Sequence, residues 1–267
     1  MELVYRPVIA LVRAVFAGMQ WRVHGAGAHH IPTQGGAVLA SNHVGYLDFA
    51  FIGYAALPQR RLVRFMAKQE VFDHRISGPL MRGMRHLPVD RFGGAVAAID
   101  TAVEALKAGE IVGLHPEGTI SRSFVPARAK TGAVRIAMRA AVPLIPTAVW
   151  GSQRLLTKGR KASWQRNVPI IVEFGAPVDY DSTDSAADVT EELMRRIGAL
   201  VDHAATTYPD RPKDDSDRWW LPAHLGGTAP SVEQATQIAD HERQARLARR
   251  REQRSQRRRD EPPMAKR

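Results

Sequence analysis

The chain alternates short apolar runs, rich in β-forming residues, with longer segments of helical periodicity. The runs are bounded by Gly, Pro or charged residues, which is typical of strands and their turns. Strands are predicted at 37–40, 62–66, 86–89, 111–114, 144–149 and 170–174. Helices are predicted at about 46–56, 76–84, 94–108, 131–141 and 184–204. This alternation predicts an α/β sheet with helices on its faces, in which chemistry usually collects in the loops after the strands.

The first twenty residues predict an amphipathic helix. Apolar side chains recur at helical spacing through residues 3–19, and Arg6 and Arg13 share one side of the helix because they are seven residues apart. The pattern fits either a helix that lies in a membrane interface or a first helix that packs on its own domain. No apolar run reaches the roughly 18 residues needed to span a bilayer, so we expect a soluble or membrane-surface protein.

Positive charge is concentrated at the C-terminus. Residues 241–267 carry +7 of the formal net charge of +11. Such a tail can be solvated or partly helical, bind anionic lipid, or contact nucleic acid. We favour a solvated or lipid-facing tail and expect no nucleic-acid partner, because no recognisable nucleic-acid module accompanies it. The predicted organisation is a helix in 1–20, a domain in 21–210 and a charged extension in 211–267.

The first polar cluster follows the strand at 37–40 and contains Asn42, His43 and Asp48. The chain has no cysteine, which excludes thiol catalysis, and a histidine held by a carboxylate is the simplest group that takes a proton from an alcohol near pH 7. Five residues of helix rotate by about 500°, so His43 and Asp48 can meet only if His43 lies in the loop before the helix. Asn42 can cap this turn or bind a ligand. The alternative is a simple helix cap followed by two surface residues.

A second cluster, His115–Ser123, follows the strand at 111–114. Gly118 allows close approach of the backbone, Thr119 supplies a hydroxyl, and Arg122 carries a guanidinium suited to phosphate. Glu117 can orient a substrate or a neighbouring donor. The alternative is an ordinary polar turn, since Pro and Gly mark turns generally.

Two further cations could bind phosphate, and one further cluster is architectural. Arg91 ends the strand run at 86–89, and Lys130 precedes a predicted helix. Each can instead be a surface residue with no ligand, as exposed ion pairs contribute little. The segment Val142–Pro146 is a strand entered and punctuated by proline, which we interpret as architectural.

Together these clusters resemble, in order, the four sequence blocks of the glycerolipid acyltransferases, in particular the 1-acylglycerol-3-phosphate acyltransferases. The blocks N-H-x4-D, apolar-D-R, P-E-G-T-R-S and V-P-[IVL]-x-P are similar to Asn42–Asp48, Val89–Arg91, Pro116–Ser121 and Val142–Pro146. The resemblance covers about residues 20–205. Ile120 stands where the family often has Arg, so the resemblance leaves the phosphate contact to other cations.

The resemblance implies a fold, a reaction and a location. The fold would be a mixed, mostly parallel sheet with helices on both faces, as in glycerol-3-phosphate acyltransferase. A fatty acyl group would move from a thioester of coenzyme A or acyl-carrier protein to the hydroxyl of a lysophospholipid, in phospholipid biosynthesis. His43 would be the base and Asp48 its orienting carboxylate, with no metal or other cofactor and no covalent acyl-enzyme. The protein would bind peripherally to anionic lipid at the cytoplasmic face of the cell membrane.

The resemblance also implies a set of substrate-binding residues. These are Asn42, Arg91, Glu117, Gly118, Thr119, Arg122 and Lys130. Three alternatives stay open at this point. The chain could acylate another lysophospholipid, an alcohol or an amine, or it could be a non-catalytic basic protein that binds membranes or nucleic acid. It could also be a metal hydrolase, with ligands His43, Asp48, His115 and Glu117.

Overall fold

The computed structural model describes residues 4–90 and 95–260 and contains one seven-stranded sheet. Its strands are Arg22–Ala26 (β1), Ala37–Ser41 (β2), Val63–Lys68 (β3), Leu87–Val89 (β4), Ile111–Leu114 (β5), Leu144–Trp150 (β6) and Pro169–Phe174 (β7). They lie in the order β1-β7-β6-β2-β5-β3-β4, and within the described residues every neighbouring pair is parallel except β6 with β7. The predicted mixed, mostly parallel α/β sheet is therefore confirmed.

The central strands are buried on both faces of the sheet, which explains their continuous apolar sequences. Every residue of β2, β5 and β6 is buried. Because β2 is parallel to both β5 and β6, the three strands end at the same edge. The loops that begin at Asn42, His115 and Gly151 therefore meet at the carboxyl edge of the sheet.

Helices cover both faces of the sheet. They are Tyr5–Met19 (α1), Asp48–Ala55 (α2), Gln69–Asp73 (α3), Ser77–Gly83 (α4), Ala95–Lys107 (α5), Gly132–Ala140 (α6), Ala186–Thr206 (α7) and Val232–Asp260 (α8). Helix α6 lies between α5 and α7 and contacts β2, whereas α2 packs against β1, β6 and β7. The predicted helices before residue 210 agree with these bounds to within two residues at each end.

Two short elements are not predicted by the sequence. β1 lies at the edge of the sheet and is mostly exposed, so its sequence lacks an apolar run. It is held by parallel pairing with β7, from Arg22 opposite Pro169 to Ala26 opposite Glu173. Helix α3 has five residues, which is too short for a helical period to be recognised.

Helix α1 packs on the domain through one face and exposes another. Phe16 stacks on Phe51 with ring centroids 4.9 Å apart, and the Tyr5 hydroxyl donates to the Val63 carbonyl at 2.7 Å. Leu11 is 64% exposed. The helix thus packs on its own domain, as one interpretation expects, and its outer side exposes Leu11 and Val15 together with Arg6 and Arg13. Nowhere in the described residues is a helix both long enough and apolar enough to cross a membrane.

The charged extension contains the helix α8, which has 29 residues. It starts after Ser231, whose hydroxyl accepts the Gln234 backbone N–H at 3.2 Å, an ordinary N-terminal cap. Of the side chains described between residues 232 and 248, none is fully buried. The division into segments 1–20, 21–210 and 211–267 stays a prediction.

Candidate active site

His43 and Asp48 are in direct contact at the carboxyl edge of the sheet. His43 lies in the loop after β2, and Asp48 is the first residue of α2, so the carboxylate reaches back over the turn. The distance from His43 Nδ1 to Asp48 Oδ2 is 2.8 Å. The His43 side chain is 21% exposed, whereas the Asp48 side chain is completely buried. This is the arrangement that the loop placement of His43 predicts.

The Asp48 carboxylate is held by backbone and side-chain donors. Oδ2 accepts the backbone N–H groups of Val44 and Gly45 at 2.8 and 2.9 Å, and Oδ1 accepts the hydroxyl of Ser152. A carboxylate with this many donors is a fixed acceptor, so it keeps the His43 proton on Nδ1. The lone pair of His43 then lies on Nε2, where it can accept a proton from a substrate.

Ser152 is a site residue that the sequence reasoning missed. It lies 104 residues after Asp48, in the loop that follows β6, and it is fully buried. The preceding Gly151 has a φ of +94°, and a Cβ there would lie 2.4 Å from the Pro169 carbonyl oxygen, so only glycine fits. A Gly-Ser pair at the end of a buried strand is the signal that could have marked this loop.

Asn42 joins β2 to β6 through its side chain. Its Oδ1 accepts the Val149 N–H at 2.8 Å, and its Nδ2 donates to the Val149 carbonyl at 3.0 Å. The residue is 1% exposed, so its amide supports the loop from below rather than facing solvent. A contact between Asn42 and substrate stays a prediction.

Glu117 supports the same loop from the β5 side. Its carboxylate accepts the N–H of His43 at 3.2 Å and that of Ala127 at 3.4 Å. Burial raises the pKa of Glu117 to about 8, although these two donors act in the opposite direction. Glu117 thus positions the backbone of His43, and its contact with substrate stays a prediction.

His115 stacks on His43. The ring centroids are 4.0 Å apart and the rings are inclined by 4°. His115 Nδ1 lies 2.9 Å from the Asn42 carbonyl oxygen and donates to it. Burial, and then the neighbouring His43, lower the pKa of His115 to about 3, so this ring is neutral. Stacking against a neutral ring fixes the plane of the His43 imidazole without adding a charge beside it.

The geometry does not favour the metal-hydrolase alternative. The rings of His43 and His115 lie in parallel planes and do not point at a common centre. Across residues 4–90 and 95–260, no three His, Asp or Glu side chains converge in a way that could hold a metal ion.

Three of the predicted substrate-binding residues, Gly118, Thr119 and Lys130, lie together after β5. Gly118 has a φ of +66° in a turn closed by its N–H bond to the His115 carbonyl, and the side chain of Lys130 passes over it. Thr119 is half-buried beside it, and Lys130 is exposed. Arg91 falls outside the described residues, so its predicted contact with phosphate is untested.

Ile120 is buried, with 6% exposure, which explains why this position holds an apolar residue. The cation nearest to Ile120 along this segment is Arg122. Ser121, between them, donates its N–H to the His43 carbonyl at 2.8 Å, so the segment is attached to the loop that carries His43. The Arg122 guanidinium is paired with Glu242 of α8 at 2.5 Å. A contact between Arg122 and substrate stays a prediction.

The neutral state of His115 has a consequence for stability. A histidine whose folded pKa is depressed binds its proton in the unfolded chain first, so stability is lost as pH falls below the unfolded value of about 6.5. For His115 the loss between pH 7 and pH 5 is about 2 kcal/mol. Glu117 acts in the opposite sense, because a raised carboxyl pKa favours the folded state as pH falls towards 5.

We therefore expect His115→Phe, which keeps the stacked ring, to gain stability relative to wild type by about 2 kcal/mol when pH is lowered from 7 to 5. Urea unfolding of both proteins at the two pH values measures this difference, from which the shared Glu117 contribution cancels. His24→Ala, at an exposed position on β1, is the control and should show no such change. An unchanged difference for His115→Phe would mean that His115 takes up its proton between pH 7 and pH 5 in the folded protein as it does in the unfolded chain, so that its folded pKa is not lowered.

Comparison with known proteins identifies the family of this chain. The family model described as "Acyltransferase" matches residues 22–150, which contain the loops of β2 and β5 and end with β6. A 1-acyl-sn-glycerol-3-phosphate acyltransferase of Bacillus subtilis is 33% identical over 177 residues, which are 64% of this chain and 84% of that protein. The chain belongs to the acyltransferase family, as its sequence blocks predict.

A second relative and a solved structure are also similar to this chain. A 1-acyl-sn-glycerol-3-phosphate acyltransferase of Streptococcus pneumoniae is 26% identical over 221 residues, 79% of this chain and 78% of that protein. The crystal structure of the 1-acyl-sn-glycerophosphate (LPA) acyltransferase PlsC from Thermotoga maritima superposes with a TM-score of 0.64 at 23% identity, covering 77% of this chain and 81% of that one. The chain therefore shares the fold of that enzyme.

Proposed function

We propose that this acyltransferase moves a fatty acyl group from an acyl thioester to the hydroxyl of a lysophospholipid, and that 1-acylglycerol-3-phosphate is its acceptor. The observation that carries the proposal is the 2.8 Å hydrogen bond between His43 and Asp48, in a sequence block that resembles one of this family and lies within the matched residues 22–150. Two relatives named 1-acyl-sn-glycerol-3-phosphate acyltransferase support the choice of acceptor.

In the proposed reaction His43 acts as a general base. The acceptor hydroxyl gives its proton to His43 Nε2 while its oxygen bonds to the thioester carbonyl carbon. The carbon–sulfur bond then breaks, and the thiol leaves with the proton returned by His43. Asp48 holds the imidazole in the required tautomer and stabilises the imidazolium that forms between the two steps.

An apolar pocket beside His43 and Asp48 is the proposed site for an acyl chain. It lies between α1, α2 and β3, and Phe49, which follows Asp48, is part of its wall. Gly53, Tyr54 and Phe65 line it further along. His86, which also lines it, accepts the Phe65 N–H, and burial followed by the nearby Arg64 lowers its pKa to about 4, so the wall carries no charge there.

Filling this pocket should shorten the preferred acyl chain. A Cβ on Gly53 would lie 3.7 Å from the Phe65 ring, an ordinary contact, so Gly53→Leu can fold and place its larger side chain in the pocket. We expect kcat/KM to fall about tenfold or more for a long acyl donor and little for a short one, since each lost CH₂ contact removes about 0.8 kcal/mol. Gly198→Leu, on α7 where a Cβ meets nothing within 4 Å, is the control. Equal losses for both chain lengths would argue against the pocket.

Membrane docking is proposed to use α1 and the basic helix α8. We expect the protein to bind vesicles containing anionic lipid, with affinity that falls as salt rises, because screening shortens the Debye length from about 10 Å at 0.1 M to about 3 Å at 1 M. Vesicle sedimentation measures this binding. Deleting residues 232–267 should reduce the salt-dependent part. Equal binding to neutral and anionic vesicles would contradict the electrostatic contribution.

An acyl-transfer assay against a panel of acceptors tests the proposed substrate. Labelled acyl-coenzyme A and acyl-carrier protein are each supplied with 1-acylglycerol-3-phosphate, with other lysophospholipids and with 1-acylglycerol. The highest kcat/KM should belong to 1-acylglycerol-3-phosphate. A higher value for another lysophospholipid or an alcohol would reassign the acceptor within the family.

A further inference from the structure

Helix α8 places a carboxylate between two cations beside the catalytic loop. Glu242 Oε1 lies 2.5 Å from Arg122 Nη2, and Glu242 Oε2 lies 2.5 Å from Lys158 Nζ. The three side chains are 31%, 23% and 19% exposed, respectively, so the cluster is open on one side. Because the two carboxylate oxygens contact different cations, Glu242 bridges them in the way that a phosphate would.

Both cations are attached to the loop that carries His43. Ser121, which precedes Arg122, donates its N–H to the His43 carbonyl at 2.8 Å. Thr157, which precedes Lys158, donates its hydroxyl to the Val44 carbonyl at 2.6 Å. Two segments that are distant in sequence thus bring one cation each to the same side of the catalytic loop.

The protein backbone is shaped around Arg122. Gly159 has a φ of +80°, and a Cβ at this position would lie 2.0 Å from Arg122 Nη1. The Arg122 Nε atom is buried and has no hydrogen-bond partner among the described residues. A guanidinium held this closely, with an unused donor, is suited to an anion that offers more acceptor atoms than one carboxylate.

The carboxylate that covers the cations belongs to a weakly held element. The side chains described on α8 up to residue 248 are all exposed or half-buried, so little apolar burial keeps the helix in place. Half-exposed ion pairs contribute little each, so a doubly charged phosphate can compete with the single charge of Glu242.

We propose that Arg122 and Lys158 form an anion-binding site for a phosphate of the substrates, and that Glu242 of α8 occupies it as an internal competitor until that phosphate displaces it. Its role in catalysis rests on the proposed acyl-transfer function, whereas its anion affinity does not. The phosphate can belong to the acceptor or to a coenzyme A donor, since both carry the same phosphate monoester group.

Phosphate binding tests the site without reference to activity. The full-length wild-type protein and its Glu242→Gln variant are titrated with inorganic phosphate by calorimetry. Removing the competing charge should tighten binding about 2- to 30-fold, the range expected when two half-exposed ion pairs no longer compete. Glu252→Gln, an exposed position of the same helix, is the matched control and should bind as the wild type does.

A second pair of variants shows whether the effect passes through the cations. In a protein that also carries Arg122→Gln and Lys158→Gln, Glu242→Gln should no longer change phosphate binding, because Glu242 then has no ion pair with either cation. The proposal is overturned if Glu242→Gln binds phosphate no more tightly than wild type, if Glu252→Gln has an equal effect, or if the Glu242→Gln effect persists without the cations. Circular dichroism confirms that each variant is folded.

Steady-state kinetics identifies the source of the phosphate. Glu242→Gln should lower KM, with little change in kcat, for 1-acylglycerol-3-phosphate but not for 1-acylglycerol if the acceptor uses the site. It should lower KM for acyl-coenzyme A but not for acyl-pantetheine if the donor uses it. A KM unchanged for every substrate would overturn the catalytic role. Tighter phosphate binding in a protein without acyl transfer would instead leave the anion site standing and refute the proposed function.

Discussion

Replacing His43 with alanine is expected to lower kcat for acyl transfer by about 10²- to 10⁴-fold or more, the usual contribution of a positioned general base. The loss should fall on kcat rather than KM, because the proton leaves the acceptor only in the transition state. His43 is partly exposed and its neighbours keep their own partners, so the variant should remain folded. Transfer rates measured at saturating donor and acceptor test this expectation.

The control for this experiment is a histidine outside the site. His24→Ala changes an exposed residue of the edge strand β1 and should leave the rate unchanged. Thermal unfolding of both variants separates a catalytic loss from a folding defect. If His43→Ala transfers acyl groups at the wild-type rate, His43 is not the base and the assignment of the site is wrong.

Replacing Asp48 with asparagine should damage both the reaction and the fold. An amide keeps one acceptor oxygen but adds donors, which would face the N–H groups of Val44 and Gly45 or the hydroxyl of Ser152. The variant should lose about 10³- to 10⁴-fold in kcat through the wrong His43 tautomer. It should also lose about 2–5 kcal/mol of stability, because buried donors are left without an acceptor.

Ser152→Ala is the matched comparison, since it removes one donor and leaves the carboxylate. Stability should fall by about 1–3 kcal/mol, and kcat by less than in Asp48→Asn. If Ser152 positions the Asp48 carboxylate, Ser152→Ala should shift the pH dependence of kcat. Ser152→Thr, which keeps a hydroxyl, should restore the wild-type pH dependence. Urea unfolding and pH–rate profiles give both quantities. An Asp48→Asn variant that keeps wild-type activity and stability would show that the hydrogen bond to His43 has no role.

The sequence predicts those parts of the fold that rest on local pattern. Buried strands such as β2 and β6 require continuous apolar runs, and the loops after them must be polar, so the position of His43 and the proximity of Asp48 follow from spacing. β1 escapes this reasoning because an exposed edge strand is stabilised by pairing with β7, not by an apolar pattern.

Contacts that depend on strand order cannot be predicted from local sequence patterns. Ser152 reaches Asp48 only because β6 lies beside β2, and His115 stacks on His43 only because β5 lies on the other side. The bond between Arg122 and Glu242 joins residues 120 positions apart through a charged helix whose sequence indicates a solvated or lipid-facing segment. Such neighbours are fixed by topology, which local periodicity does not encode.

A single-turnover experiment tests the central claim, direct acyl transfer with His43 as base, most directly. Enzyme in excess is mixed with a thioester labelled in its acyl group and with 1-acylglycerol-3-phosphate, and products are separated at intervals by quenching and mass spectrometry. The label should pass in one exponential phase from thioester to diacylglycerol phosphate in wild type, with none on the protein. With His43→Ala it should still be in the thioester when the wild-type reaction is complete. Label bound covalently to the protein, or release of free fatty acid in place of ester, would contradict the account.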